Sequence, residues 1–484
     1  MHKRLVFNII ARMVFMICFA LLAPLGWAAA DNLYSPETNA FLVSILVALL
    51  LGCLGRWAVP AAAQDFEKMN AKDGLAVVGL TWIVLSGIGA LPLWLSDSVA
   101  SFTDAYFEIA SGFTTTGASI LTDIESLPRG ILFWRSLSHW LGGMGIVVLF
   151  VALLPSLGYN AFQLYRAEAP GMTAERILPR IKETAKVLWE IYLLLSLTEI
   201  VVLMLAGMNF FDASCHTFGT MATGGFSTRN ASMAAFSPML QWIVTVFMFL
   251  AGMNFMLHVQ VLSGRPLSIF RNEEFRYYAG LVAVLIPVFV LVLWLSGEGG
   301  ALWRHSAFQV VSILTTTGYA TTDFNIWPHM LRLLLLLIMF IGGCGGSTGG
   351  GMKVSRIVLS VKLALRSVEQ TIFPRQVAPV RFNGRTIDRR LDVSVSAFVL
   401  LYLLLFVLGV VGLLALERCD VVSALSASVA SLSNIGPGLN LVGATQNYAW
   451  ISIPGKWLLI VLMLAGRLEL YAILILFLPA TWRK

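Results

Sequence analysis

Ser312-Ile313-Leu314-Thr315-Thr316-Thr317-Gly318-Tyr319 carries a short apolar run into a hydroxyl-rich, glycine-containing turn, between two segments long enough to cross a bilayer. Related turns stand at Phe113-Thr114-Thr115-Thr116-Gly117-Ala118, Met221-Ala222-Thr223-Gly224-Gly225-Phe226 and Ser433-Asn434-Ile435-Gly436-Pro437-Gly438. Their spacing of roughly a hundred residues marks four divergent copies of one unit, a repeat architecture. One such turn is an ordinary interhelical loop. Four of them, each set among apolar segments, predict four loops converging on one axis.

Composition fixes the class. Of 484 residues, 58% are hydrophobic and 12% charged, against roughly 25% charged in soluble domains. Apolar runs of about 20 residues recur along the chain, which predicts an all-α polytopic membrane protein. The net charge of +7 is concentrated in a few loops, a pattern of topology rather than of nucleic-acid binding. The five cysteines show neither metal-ligand spacing nor a disulfide framework, and Cys18, Cys53 and Cys344 lie in apolar or glycine-rich stretches.

Taken in order, His2-Lys3-Arg4 followed by an apolar stretch to Ala30 reads either as a secretory signal peptide or as an uncleaved first helix. Arg12 and the length of the apolar part favour the helix. A second span from about Phe41 to Val59 completes a leading hairpin, residues 1–66. Four units follow over 67–160, 161–265, 266–385 and 386–484. Each reads as helix, half-helix, turn, returning helix. The outer helices are Gly74–Leu95, Val187–Met208, Tyr278–Leu295 and Val393–Leu416. The half-helices start near Asp104, Asp212, Arg304 and Asp420, and the returns run over Ile131–Leu154, Met239–Leu262, from Met330, and Trp457–Pro479.

Charge sets the orientation. Lys3, Arg4, Arg12, Lys68, Lys72, Arg166, Arg176, Arg180, Lys182, Lys186, Arg265, Arg271, Arg276, the stretch Lys353 to Arg390, Arg483 and Lys484 all fall on one face when each unit spans twice. The positive-inside rule makes that face, and both termini, cytoplasmic, so the turns open outward.

Non-helical backbone at membrane depth is tolerated where it lines a cavity or is buried in protein, and rings of carbonyls can replace the hydration shell of a monovalent cation. Gly117, Gly224, Gly318 and Gly436 allow the backbone angles such a turn needs. Half-helices ending there aim partly negative C-termini at the axis, which favours a cation. Asp104, Asp212 and Asp420 lie near the opposite ends, where a carboxylate can cap free N–H groups; the third unit has Arg304 and His305 instead. The candidate ion-binding set is Thr115, Thr116 and Gly117; Ala222, Thr223 and Gly224; Thr316, Thr317 and Gly318; Asn434, Ile435 and Gly436.

Thr316-Thr317-Gly318-Tyr319 resembles the Thr-Val-Gly-Tyr-Gly filter of tetrameric potassium channels. The four turns on one chain resemble the Trk/Ktr/HKT superfamily of potassium transporters, and within it the bacterial TrkH/TrkG membrane subunit. The resemblance covers nearly the whole chain, including the leading hairpin, Trp140-Leu141-Gly142-Gly143-Met144-Gly145, Leu164-Tyr165-Arg166-Ala167-Glu168, Gly225-Phe226-Ser227-Thr228 and Gly466-Arg467-Leu468-Glu469. It implies potassium as the transported substrate, bound at the turns, with no cofactor on this chain. In that family a serine in the first turn goes with sodium permeation, so Gly117 implies potassium selectivity. It further implies a bacterial inner-membrane location, a homodimer, and a cytosolic TrkA-like nucleotide-binding ring docking on the loop Lys353–Arg390, whose nine basic residues face only Glu369 and Asp388.

Gly342-Gly343-Cys344-Gly345-Gly346-Ser347-Thr348-Gly349-Gly350-Gly351 interrupts the third returning helix. Gly346 and Gly351 have the spacing of a phosphate-binding loop, but Met352 stands where lysine is needed and no strand precedes it. The run is either a flexible helix end or a mobile gate under the turns, formed by Gly345, Gly346, Ser347, Thr348, Gly349 and Gly350; the family carries an intramembrane loop at this place. Arg467, deep in the last helix, either pairs with an acid such as Glu469 or faces the pore as a second gate element. Glu108, His139, Glu199, His216 and Arg332 read as packing or interfacial residues at membrane depth. A proton- or sodium-coupled transporter would place ionisable residues at a midplane site, and no Asp or Glu recurs at the turns. An enzyme would need a clustered catalytic or metal set, which six scattered histidines do not form.

Overall fold

The computed structural model describes residues 2–59, 71–145, 181–374, 379–387 and 389–482. The expectations placed on Lys68, on 146–180 (including Leu164 to Glu168, Arg166, Arg176 and Arg180), on Asp388, and on Arg483 and Lys484 lie outside the described residues, as does the side chain of Lys182.

Two long apolar helices lead: α1 (Lys3–Asp31) and α2 (Pro36–Ala58). The chain turns between them because Ser35 N-caps α2, accepting from Thr38 N at 3.1 Å, with Pro36 in the first helical position. Helix α3 (Ala71–Leu95) then leads to α4 (Phe102–Phe113) and α5 (Arg129–Gly143). The pattern recurs with α6 (Ile181–Leu205) and α7 (Phe210–Met221), with α10 (Glu273–Leu295) and α11 (Leu302–Leu314), and with α14 (Arg389–Leu416) and α15 (Val421–Leu432). The 12 or 13 residues of α4, α7, α11 and α15 give a rise of roughly 18–20 Å, too short to span a bilayer core of about 30 Å. Each follows a helix of 23 residues or more; α4, for example, packs on α3, α5 and α16 (Ile453–Arg467).

Local capping explains the starts of these short helices. Ser101 and Asn209 accept from the Asp104 and Asp212 amides, and Asp420 accepts from Ser423 N at 3.0 Å. Asp104 and Asp212 therefore stand one turn inside the helix, and only Asp420 caps. Asp104 instead pairs with Lys456 of α16 at 2.6 Å, and Thr228 Oγ1 donates to Asp212 at 2.6 Å. Helix α11 starts at Leu302, and Ala301 at its N-cap offers no side-chain cap.

The second and fourth returning segments differ from the continuous spans expected of them, and the third breaks at its glycine run as expected. The second bends by 99° between α8 (Pro238–Ala251) and α9 (Phe255–Leu262). Gly252 is the C-cap of α8, and Asn254 N-caps α9, accepting from Met256 N at 2.9 Å. The third breaks between α12 (His329–Met339) and α13 (Val354–Ile372). The fourth breaks between α16 and α17 (Tyr471–Phe477), where Glu469 and Leu470 have φ of 54° and 65°. Among the described residues, six single helices are long and apolar enough to cross a membrane, and α8 with α9 forms one bent candidate.

Close packing of the short helices against the returning segments requires glycine at two matched places. A Cβ on Gly142 would overlap the carbonyl oxygen of Phe113, the last residue of α4, and a Cβ on Gly466 would overlap that of Leu432, the last residue of α15. Exposed Gly280, inside α10, has open space instead. Gly142→Ala and Gly466→Ala should each lower the thermal stability of the detergent-solubilised protein, whereas Gly280→Ala should leave it unchanged or raise it by up to about 1 kcal/mol. Equal effects in a thermal-shift measurement would refute this packing.

Candidate functional site

All four short helices end in the same way. The C-cap residues Thr114, Ala222, Thr315 and Ser433 are followed by Thr115, Thr223, Thr316 and Asn434 in the left-handed region, at φ of 52°, 54°, 62° and 56°. The next amides close back on the helix: Thr116 N to Ser111 O (2.8 Å), Gly224 N to Gly219 O (2.7 Å), Thr317 N to Ser312 O (2.8 Å) and Ile435 N to Ala430 O (2.9 Å). This is the Schellman ending, which normally places glycine at the left-handed position. Three β-branched threonines there are outliers that their surroundings must hold in place. One residue further on stand Gly117, Gly225, Gly318 and Gly436, with φ of 78°, 82°, 81° and 94°.

These glycines close a ring. A Cβ on Gly117 would overlap the carbonyl oxygen of Gly224, one on Gly225 that of Thr317, one on Gly318 that of Ile435, and one on Gly436 that of Thr116. Each turn thus presses its glycine α-carbon onto the carbonyl of the next, and the fourth returns to the first. The four glycines line one side of a cavity of about 140 Å³ that also reaches Ser119, Arg135 and Asn447.

Side chains lock neighbouring turns together. Tyr319 Oη donates to His216 O (3.0 Å) and Phe226 O (3.1 Å). Asn434 Nδ2 donates to Thr116 Oγ1 at 3.0 Å, and Tyr448, whose Oη donates to Gly436 O of its own unit at 2.6 Å, joins the first unit through its backbone N on Ser119 O at 2.8 Å. His139 stacks on Phe226 at 4.1 Å, with one ring nitrogen 2.8 Å from Gly112 O and the other accepting from Phe226 N at 3.2 Å. The buried atoms Thr115 Oγ1 and Asn434 Oδ1 have no hydrogen-bond partner among the described residues.

The glycine-rich loop between α12 and α13 lies against the helix-terminal side of this ring. Gly350 N donates to Thr316 Oγ1 (2.6 Å), Gly351 N to Ser433 O (3.0 Å) and Thr348 Oγ1 to Met221 O (2.9 Å). Arg467 donates to Thr348 O (2.7 Å) and to Gly142 O and Gly143 O (2.6 and 2.7 Å). Lys353 Nζ donates to Gly349 O. The near half of the loop is tied outward, with Gly345 N on Glu274 Oε1 (2.7 Å) and Phe255 N on Gly346 O (3.0 Å). Ser347 Oγ donates to Cys344 O at 2.6 Å.

The chain matches the profile of TrkH, described as a cation transport protein, over residues 38–484. The chain belongs to the TrkH family. It is 41% identical to the Trk system potassium uptake protein TrkH of Salmonella typhimurium strain LT2, covering 100% of both chains. It is 34% identical to TrkG of Escherichia coli K12, with 100% of this chain and 99% of the relative covered. Its structure matches the crystal structure of the potassium transporter TrkH from Vibrio parahaemolyticus with a TM-score of 0.88 at 38% identity, each chain covered fully.

Within this TrkH-family chain, the expected turn residues come together, with one shift of register. In the second turn Gly225, not Gly224, holds the position of Gly117, and Ala222 is the cap, equivalent to Thr114. Gly224 corresponds to Thr116 and meets the ring through its carbonyl, and a Cβ on it would run into the His139 ring. Counting from the N-caps finds the register: Gly117, Gly225 and Gly436 each stand 16 residues past Ser101, Asn209 and Asp420, and Gly318 stands 17 past Ala301. Of the expected loop residues, Thr348, Gly349 and Gly350 lie nearest the turns, while Gly345, Gly346 and Ser347 anchor the loop. Glu469 pairs with Arg356 at 2.7 Å, and Arg467 joins the loop carbonyl of Thr348 to the Gly142 and Gly143 carbonyls of α5. Glu108, His139, His216 and Glu199 are fully buried, and Arg332 donates to Asn440 Oδ1.

Sequence reading missed Arg135, Tyr448 and Lys353 as site residues. Lys353 looks like one more positive loop charge, yet it is 5% exposed with a φ of 73°. Three further charges of that stretch are engaged, Arg356 with Glu469, Lys362 with Glu273 and Arg366 with Asp392.

The ring geometry makes Gly225 the stricter position for backbone reasons. Gly225→Ala should destabilise by at least about 1–2 kcal/mol from the left-handed conformation alone, with carbonyl overlap in addition. Thr223→Gly should relieve a comparable strain, offset by about 0.5–1 kcal/mol of extra chain entropy, and so leave stability equal or slightly raised. Thermal unfolding of both variants checks this; a wild-type melting point for Gly225→Ala would refute the assigned register.

Proposed function

We propose that this chain is the pore-forming subunit of a potassium-selective uptake system, with the closed ring of four turns as its filter. The observation that carries the proposal is the cyclic contact of each turn's glycine on the next turn's carbonyl. Four helix C-termini meet there, each equivalent to roughly half a negative charge, a field that attracts cations. Backbone and hydroxyl oxygens at Thr115, Thr116, Gly117, Ala222, Thr223, Gly224, Gly225, Thr316, Thr317, Gly318, Asn434, Ile435 and Gly436 would replace water around a monovalent ion. The buried, unpartnered Thr115 Oγ1 and Asn434 Oδ1 suit that role. The relatives named as potassium uptake proteins support potassium as the ion.

The loop Gly345–Gly350 is read as a gate, since it occupies the side of the ring where the short helices end, held there by Arg467 and Lys353. Four pseudo-repeats (67–160, 161–265, 266–385 and 386–484) after a leading hairpin (1–66) build this arrangement, in a bacterial inner membrane with both termini cytoplasmic. A second copy of the chain and a cytosolic nucleotide-binding ring would complete the assembly. The ring would act on α13, which leaves the gate loop directly and carries Arg356, Lys362 and Arg366. Proton- or sodium-coupled transport is the alternative, and fully buried Glu199 on α6, beside Thr220, is the feature that favours it.

Purified protein in liposomes with a potassium gradient and no other driving ion should carry potassium and rubidium well above sodium. Gly318→Ser should abolish the flux or make it unselective. Deleting Gly345–Gly350, or replacing Arg467 by alanine, should raise flux through the same filter. Flux appearing only with a proton or sodium gradient would assign the chain to coupled transport; unchanged flux in both loop variants would remove the gate.

A further inference from the structure

Behind the first turn lies an ion pair that the filter reading does not use. Glu108 on α4 and Arg135 on α5 are 0% and 1% exposed. Arg135 Nε donates to Glu108 Oε1 at 2.8 Å, and the Nη2 to Oε1 separation is 2.7 Å. The remaining capacity of both groups goes to the turns. Glu108 accepts from Ser119 Oγ (2.9 Å) and from Ile120 N (3.0 Å), two and three residues beyond Gly117. Arg135 Nη2 reaches Ser119 Oγ at 3.3 Å. Its guanidinium lies 4.1 Å from the centre of the Phe226 ring, which also stacks on His139, and Phe226 directly follows Gly225. Arg135 also lines the cavity above the four glycines.

The equivalent positions in the other turns carry no acidic or guanidinium group. Six residues before each C-cap stand Glu108, His216, Gln309 and Ala427. Two residues after each ring glycine stand Ser119, Ser227, Ala320 and Gly438. In the second turn His216 Nε2 meets Ser227 Oγ at 2.9 Å, the neutral counterpart of Glu108 on Ser119. Only the first turn therefore carries a buried charge at this place, and a buried pair is not a general source of stability. What it supplies here is directional restraint: charge-assisted hydrogen bonds are shorter and stronger than neutral ones, and these fix both walls of the contact between Gly117 and the second turn. The pair also keeps the guanidinium neutralised beside a cation path.

We infer that Glu108 and Arg135 are a positioning pair that sets the ion selectivity of the ring by holding the first and second turns at a fixed separation. The inference rests on the filter reading. Removing Glu108 alone leaves a buried unpaired cation, so the informative variant is the double substitution Glu108→Gln with Arg135→Gln, which removes both charges at similar volume. Ser119→Ala is the milder companion, cutting the hydroxyl link while leaving the pair.

The experiment measures rubidium and sodium flux in liposomes for wild type and both variants. The double variant should keep rubidium flux within a few fold while its rubidium-to-sodium ratio falls about tenfold or more, and Ser119→Ala should lower the ratio in the same direction by a smaller factor. A merely structural role would lower both fluxes together. A wild-type ratio in the folded double variant overturns the inference. Should the double variant not fold, the ratio in Ser119→Ala decides in its place. Wild-type protein that does not select rubidium over sodium would overturn the filter reading instead, which the wild-type arm reports separately.

Discussion

A glycine α-carbon packed on the carbonyl of the next turn, repeated around a closed circle, is the contact on which the rest of this structure depends. It disfavours a side chain at Gly117, Gly225, Gly318 and Gly436, both because a Cβ would overlap backbone unless the turns shift and because φ is positive at each. The contact also dictates what precedes it. For the carbonyl before each glycine to reach its neighbour, the short helix must end one turn earlier, and its amides must close back on the last carbonyls. Thr115, Thr223 and Thr316 then fall in the left-handed region, a conformation that disfavours β-branched residues by about 1–2 kcal/mol each. Such strain persists only where the surroundings over-determine it, and here the surroundings are Tyr319, Tyr448, Asn434 and His139, each bonding one unit to another.

The loop between α12 and α13 meets the opposite requirement. Four helices ending together leave carbonyl groups without intrahelical partners, and the loop satisfies some of them through backbone N–H and hydroxyl donors: Gly351 N on Ser433 O, Thr348 Oγ1 on Met221 O. Its own carbonyls, exposed by having no regular secondary structure, are taken by two cationic side chains, Arg467 at Thr348 and Lys353 at Gly349. Charged groups make stronger hydrogen bonds than neutral ones, so the loop is fastened by two cations where it lies under the ring and by the Glu274 carboxylate on Gly345 N at its start. The glycine content serves close approach as much as flexibility: a Cβ on Gly350 would overlap Ser433 O.

Much of this was legible in the sequence because membrane helices announce themselves by length and apolarity. The hydroxyl-glycine turns recur at a spacing that chance loops would not keep. The third interruption was visible because Gly342 to Gly351 is an unmistakable helix breaker. The second carried a weaker signal, Gly252 with Asn254 two residues on, a cap for the end of one helix and a cap for the start of the next. The fourth carried none: Leu468-Glu469-Leu470 holds neither glycine nor proline, and its positive φ values are imposed by the fold around it. The second turn was ambiguous because Gly224 and Gly225 are adjacent, and the choice depends on where α7 starts. Asp212, with its charge, draws attention as the cap, but the amide Asn209 is the residue that does it. Arg135 and Lys353 were hidden for a common reason: hydropathy counts them as interface charges, whereas burial with specific partners is a tertiary fact.

The four units share a backbone solution but not a side-chain one, and a single chain permits that difference. The third unit has Ala301 at the N-cap with no side-chain cap, begins its short helix at Leu302 and runs one residue longer than the others. It is also the unit that supplies the loop. That loop touches the second turn through Met221, its own through Thr316 and the fourth through Ser433, while the first unit is reached through Arg467, which joins Thr348 to Gly142 and Gly143. A fourfold assembly of identical chains would need four loops to make these contacts, and they would collide on the axis. With four inequivalent units one loop suffices, and each of the remaining units contributes the acceptor or donor suited to its position. Chemical asymmetry at the loop is thus compatible with near-equivalence at the glycine ring, because the ring is set by backbone and the loop contacts are set largely by side chains.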